Sequence, residues 1–165
     1  MNKIFLIIGG NIGDRKKNLE TAAALIEKHI GKIIRSSKIY ETDAWGITNQ
    51  PTFYNQVLIA ESKIPAQKVI EEILKIEEEM GRVRTIKNAA RIIDIDILFF
   101  NDDTVNEQNL IIPHQEIANR RFVLIPLNEL VPEMVHPVLK KSIRELLYAC
   151  KDELKVTPIS SNPYK

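Results

Sequence analysis

The chain has 165 residues, 44% of them hydrophobic and 27% charged, a size and balance that suit one globular domain and exclude a fibrous repeat or a disordered tract. Its 23 Lys and Arg against 22 Asp and Glu leave a net charge of +1, so a broad basic surface tracking nucleic acid is not expected, and any cationic site must be local. The single cysteine, Cys150, can neither close an internal disulfide nor build a cysteine metal site, and it follows Leu146, Leu147 and Ala149 as core packing would. With no leader-like cleavage pattern and no apolar run of roughly 18 residues, a cytoplasmic protein without membrane contact is expected.

Ile4 to Ile8 is a continuous apolar run closed by Gly9 and Gly10, the pattern of a central strand buried on both faces, and Asp14 is placed to cap the helix that follows. In that helix Leu19, Ala22, Ala23, Ile26 and Ile30 recur at helical spacing before Gly31 stops it. Ile33 to Tyr40 and Phe53 to Ala60 read as strands on either side of a long polar loop, Glu41 to Pro51. Ser62 and Pro65 precede a second helix, with Ala66, Val69, Ile70, Ile73, Leu74 and Met80 on one stripe and Gly81 at its end. Ile92 to Phe100 is the fourth strand. Strand, helix, strand, strand, helix, strand is the order of a ferredoxin-like antiparallel sheet, so the expectation is α+β: a three-layer α/β/α single domain over 1–165. Beyond Asn101 the pattern predicts a short strand at Thr104 to Glu107 and helices at Phe122 to Leu130 and Ser142 to Leu154. Pro113, Pro126, Pro132 and Pro137 break this half into short pieces, and the tail from Val156 to Lys165 is expected to add little.

The sharpest chemical signal is Ile93, Asp94, Ile95, Asp96, Ile97. Alternation along a strand puts both carboxylates on one face, about 6 to 7 Å apart, a spacing that suits one or two divalent cations. The competing reading is an edge strand with a solvated polar face. Just upstream, 81–91 carries Arg82, Arg84, Lys87 and Arg91 and no acidic residue, and cations beside a metal site point to polyphosphate. Glu77 falls near the centre of the second helix's apolar stripe, so it aims inward and needs a partner: Arg82, Arg84, a nucleotide ribose, or a buried structural ion pair. Gly9, Gly10, Asn11 and Gly13 match neither G-x-G-x-x-G nor a P-loop, and alone they indicate a tight turn.

Five segments occur in the order and spacing of one family: Gly9-Gly10-Asn11, Gly81-Arg82-Val83-Arg84, Arg91 through Asp94-Ile95-Asp96-Ile97, Ile112-Pro113-His114, and Asn119-Arg120-Arg121-Phe122. Over roughly residues 3–145 the chain resembles 6-hydroxymethyl-7,8-dihydropterin pyrophosphokinase. The resemblance implies transfer of pyrophosphate from ATP to the pterin hydroxymethyl group, with AMP released, as a step of tetrahydrofolate biosynthesis. It implies two Mg2+ ions on Asp94 and Asp96 and assigns Arg82 and Arg91 to catalysis. Pterin binding falls to Thr42, Trp45, Phe53, Asn55 and Phe122, and ATP binding to Glu77, Arg82, Arg84, Arg91, Ile97, His114 and Arg120. His136 receives no role, and no obligate protein partner is implied. The chain departs from the family pattern at Lys87 to Ala90, which lack an aromatic, at Gln115 after the histidine, and at Phe53, which lacks a hydroxyl. The alternatives are a palm-type nucleotidyltransferase with a two-aspartate metal site, which would release pyrophosphate, and a ferredoxin-like RNA-binding module, which the near-neutral charge disfavours.

Overall fold

A computed structural model describes residues 1–43, 50–82 and 90–159. The first apolar run becomes β1 (Asn2–Gly10), which lies between two antiparallel neighbours, β4 (Phe53–Ser62) and β5 (Asp94–Phe100). The opposite side of β4 is shared end to end by β2 (Lys32–Ser36) and β3 (Tyr40–Thr42). The order is therefore β5-β1-β4-β3, with β2 also on β4 and one further strand, β8 (Val156–Pro158), outside β3. A separate ribbon pairs β6 (Val105–Glu107) with β7 (Leu110–Ile112).

Helix α1 (Arg15–His29) starts where Asp14 accepts the Lys17 amide, as expected, and α2 (Ala66–Glu79) starts at Pro65. Alternation along β1 sends Ile4, Leu6 and Ile8 to one side of the sheet, where they meet Leu19, Ala22 and Ile26 of α1 and Val69, Ile73 and Ile76 of α2. Phe5 and Ile7 go to the other side. There they meet Val123, Leu124, Leu127 and Leu130 of α3 (Arg121–Leu130), and Ile143 and Leu146 of α4 (Ile143–Ala149). A bulge in β5 opposite Phe5 and Leu6 leaves Leu98 as the extra residue.

Three expectations are corrected. The strand foreseen over Ile33 to Tyr40 is two strands, because Ser37 interrupts it: its hydroxyl accepts the Val57 amide, its own amide bonds the Val57 carbonyl, and one extra residue enters opposite β4. The helix foreseen to Leu154 ends at Ala149. Asp152 pulls the chain away from it by accepting the Arg121 amide at the start of α3, where a carboxylate suits the helix dipole. Pro126 does not break α3, which runs through it with Pro126 buried among the apolar side chains. After Asp152 the tail forms β8, which extends the sheet by one exposed edge strand. Cys150 is half-buried against the α3 and α4 cluster. Among the described residues, no helix is long and apolar enough to cross a membrane.

Candidate active site

A cleft opens on the α3 side of the sheet, at the C-terminal end of β1. It is lined by Ile7, Gly9, Thr42, Asp43, Phe53, Asn55, Arg91, Asp94, Asp96, Arg120 and Phe122, with Ile8. The strand register explains the gathering. Gly9 pairs with Asn55 on one side and with Asp94 on the other, and Thr42 pairs with Phe53, so strands distant in sequence present their pocket-side residues together. Phe122 enters from the first turn of α3.

Two side-chain groups in this cleft, those of Thr42 and Asn55, have no partner among the described residues. The Thr42 hydroxyl is buried without a hydrogen bond, and Asn55, 7% exposed, makes none with its carboxamide to any described residue. Buried polar groups are rarely left in this state, and both share the cleft with Phe53 and Phe122.

The charged part of the cleft is differently arranged. Glu77, 3% exposed, accepts the Ile95 amide at 2.8 Å on the outer side of β5 and pairs with Arg82 at 2.8 Å. The inward glutamate foreseen from the helical wheel therefore closes the edge strand and holds an arginine. Arg82 reaches on to Asp94 Oδ1 at 2.5 Å, and Arg91 reaches Asp94 Oδ2 at 3.2 Å. Burial alone would weaken the Arg82 charge, but Asp94 and Glu77 outweigh it and hold the guanidinium above its ordinary range.

Among the described residues Asp96 has no such arginine contact, and His114 Nε2 lies 4.0 Å from its Oδ2. Its carboxyl is pushed up from 3.8 to about 7 by burial and by the negative charges of Asp94 and Glu77, against Arg82 and Arg91. Since 44% of this side chain opens to the cleft, the neighbouring carboxylates give the direction its main support. His114 is set by its backbone amide bonding the Leu98 carbonyl and by Nδ1 accepting the Glu116 amide. Burial and then Arg120 hold it below the usual histidine range.

The glycine turn carries more than its sequence revealed. A Cβ on Gly10 would lie 2.1 Å from the Ile92 carbonyl oxygen, so this glycine lets the approach to β5 cross β1 at close range. Asn11, 1% exposed, accepts the Arg91 amide and donates to Gln50 and the Pro51 carbonyl, while its own amide bonds the Arg91 carbonyl. It thus ties the segment before Pro51 to the one after Ala90. Arg15 fastens the same region from the α1 side: it bonds Thr52, stacks 3.9 Å over Tyr54, and lies 3.7 Å from Glu41. These contacts span distant positions, and no local motif announces them.

The cleft thus brings together Thr42, Phe53, Asn55, Arg91, Asp94, Asp96, Arg120 and Phe122. Arg82 and Glu77 stand behind Asp94. Ile97 is buried in the α1 and α2 core and meets, with His114 and Asp96, a second opening beside Gln108, Asn109 and Gln115. Arg120, foreseen with the nucleotide, lies near Phe122 at 5.7 Å and lines the same cleft as Asn55. Trp45 and Arg84, like Lys87, Asn88 and Ala89, lie outside the described residues. His136 is a core residue, 5% exposed, edge-on to Phe99 with Nδ1 accepting the Val138 and Leu139 amides.

Fold and site together define an α+β protein that gathers two carboxylates and two arginines beside an aromatic-sided polar pocket. Residues 5–132 match the model of the 7,8-dihydro-6-hydroxymethylpterin-pyrophosphokinase family, and the chain belongs to that family. The Aquifex aeolicus 2-amino-4-hydroxy-6-hydroxymethyldihydropteridine pyrophosphokinase is 36% identical over 145 residues, covering 88% of this chain and 90% of the relative. The Bacillus subtilis protein of the same name is 36% identical over 136 residues, 81% of each chain. The folic acid synthesis protein fol1 of Schizosaccharomyces pombe is 36% identical across 88% of this chain, which spans only 20% of that protein. Among solved structures, Plasmodium falciparum HPPK-DHPS superimposes with a TM-score of 0.73 at 24% identity, over 90% of this chain and 43% of that one.

Proposed function

We propose that this chain transfers the pyrophosphoryl group of ATP to 6-hydroxymethyl-7,8-dihydropterin, giving AMP and the pterin diphosphate, a step of tetrahydrofolate biosynthesis. Family membership supports the reaction. The single observation that carries the site is one cleft lined by the Thr42 and Asn55 side chains, which bond no described residue, by Phe53 and Phe122, and by Asp94, Asp96 and Arg91.

On this reading Phe53 and Phe122 sandwich the pterin, while Asn55 and Thr42 pair with its edge and reject rings that leave them unpaired. The hydroxymethyl group then points toward Asp94 and Asp96. Its oxygen attacks the β-phosphorus in line and releases its proton to solvent, the bond to the α,β-bridging oxygen breaks, and AMP leaves with that oxygen. Arg82 and Arg91 turn part of their charge from Asp94 to the phosphates as negative charge develops, with Glu77 keeping Arg82 in place. His114, Arg120, Arg84 and the backbone near Ile97 complete the nucleotide side, and Trp45 completes the pterin side.

Asp94 and Asp96 fit magnesium. They are oxygen donors on one face of β5, and Asp96 lies under negative charge that no arginine contact neutralises. Among the described residues no group of three His, Cys, Asp or Glu side chains assembles, so phosphate oxygens and water would fill the remaining positions. When bound, such ions would neutralise phosphate charge. The strand order β5-β1-β4-β2, all antiparallel, with helices against both faces, supports a ferredoxin-like, three-layer α/β/α reading of the fold. A single domain spanning 1–165 and a cytoplasmic location, where ATP is available, complete the proposal.

Phosphorus NMR of the protein with ATP, magnesium and 6-hydroxymethyl-7,8-dihydropterin tests this. Pterin-dependent AMP and a pterin diphosphate are expected. Released pyrophosphate would instead indicate nucleotidyl transfer, ADP an ordinary kinase, and no turnover by folded protein would sink the assignment.

A further inference from the structure

We propose that Gly9 is a positioning residue for substrate recognition: its missing side chain lets the Asn55 carboxamide lie across β1 and face the pocket. The inference rests on reading that pocket as the pterin site. Gly9 and Asn55 are direct partners in the β1 and β4 register, so their pocket-side substituents share one space. A Cβ on Gly9 would lie 1.9 Å from Asn55 Oδ1 and 2.9 Å from Asn55 Cγ, distances at which the carboxamide must leave, and 3.1 Å from the Tyr54 carbonyl oxygen, a tight contact that a shift of a few tenths of an ångström relieves.

The backbone makes no such demand. Among the described residues the glycines with positive φ are Gly13 and Gly81, not Gly9, so any residue could adopt its strand conformation. What requires glycine here is the neighbouring side chain. That side chain is buried and joined to no described residue by a hydrogen bond, so nothing else holds the carboxamide in register with a ligand. Gly10 answers a different need, the Ile92 carbonyl on the opposite face. The two glycines of the turn therefore divide the work: Gly10 admits backbone and Gly9 admits the recognition group.

The test is calorimetric binding of 6-hydroxymethyl-7,8-dihydropterin, with a non-hydrolysable ATP analogue and magnesium saturating, to wild type, Gly9→Ala, Asn55→Ala and the double variant. Binding of the analogue alone is measured on the same four proteins. Gly9→Ala is expected to weaken pterin binding roughly tenfold or more, as loss of one or two buried hydrogen bonds would, and to change nucleotide binding less than about twofold. In the Asn55→Ala background the same substitution should cost less than about twofold further, since only the milder Tyr54 carbonyl contact remains. Unchanged pterin affinity in Gly9→Ala, an equal loss for the nucleotide, or a full additional loss in the double variant would overturn the proposal. Should Gly9→Ala fail to fold, a folded double variant assigns that failure to the Asn55 contact, and an unfolded one overturns it. A wild type that binds the analogue but not the dihydropterin rejects the pterin reading itself, an outcome distinct from normal binding by Gly9→Ala.

Discussion

The two halves of the cleft meet ligand in opposite states. In the aromatic half, Thr42 and Asn55 are buried with unmade hydrogen bonds, so a ligand gains contacts there without breaking any. In the charged half, Glu77, Arg82, Asp94 and Arg91 already pair with one another, so an anionic ligand of the kind proposed would have to displace existing partners. Polar groups on a rigid sheet can wait unpaired at a modest cost each, whereas buried like charges must be neutralised in the ligand-free protein as well. Under the proposed function, the aromatic half is accordingly set by strand geometry and the charged half by exchange of partners.

Substitutions at the extremes of each half sharpen this contrast. Asp96→Asn should lower turnover about a thousandfold, measured as AMP release, because it removes a charge that the neutral amide cannot replace. Glu77→Ala should cost about 3 kcal/mol of unfolding free energy in urea, since it leaves Arg82 without one partner and the Ile95 amide without its acceptor. A loss under about 1 kcal/mol would show that the charged half is not internally committed. Thr42→Val should weaken pterin binding roughly threefold to tenfold by calorimetry while moving Tm by no more than about 2 °C, because the lost hydroxyl bonds nothing in the free protein. A large drop in Tm would erase the contrast.

The smallest effect is on stability against pH, read on the ligand-free and metal-free protein. The Asp96 carboxyl is raised from 3.8 to about 7, so the folded state holds its proton more tightly than the unfolded chain. Its contribution to stability is fully present below about pH 4 and is lost as pH rises through about 7. Asp96→Asn should therefore raise Tm at pH 8 relative to wild type and leave the difference near zero at pH 4. The variant would then be more stable and less active under the same conditions, and a pH-independent difference would discount the like-charge environment.

Much of this molecule can be read along the chain, and the unread part has a common cause. Alternation in β1 and β5, the inward Glu77 and most of the stripe on α2 are periodic features, although Leu74, foreseen on that stripe, is 45% exposed and Ile76 is buried in its place; periodicity follows from backbone geometry that every helix and strand shares. The spacing of Asp94 and Asp96 belongs to the same kind of information, and the order of the motifs sufficed for the family. Nothing in the spacing of Ser37 marked it as an interruption, because the Val57 amide that its hydroxyl accepts is twenty positions away. Asn11 gripping Arg91, Arg15 gripping Thr52, Asp152 capping α3 and Gly9 yielding to Asn55 are likewise encounters between residues distant in the chain.

What the sequence determined by itself was therefore the order of the main strands and helices from β1 to β5, the face most of their residues present, and the chemical types gathered at the site. What only the tertiary structure decided was which polar groups find partners and which are left for a ligand. Element geometry is local and repeats every two or 3.6 residues, whereas a hydrogen-bond partner depends on which strands the register lays side by side.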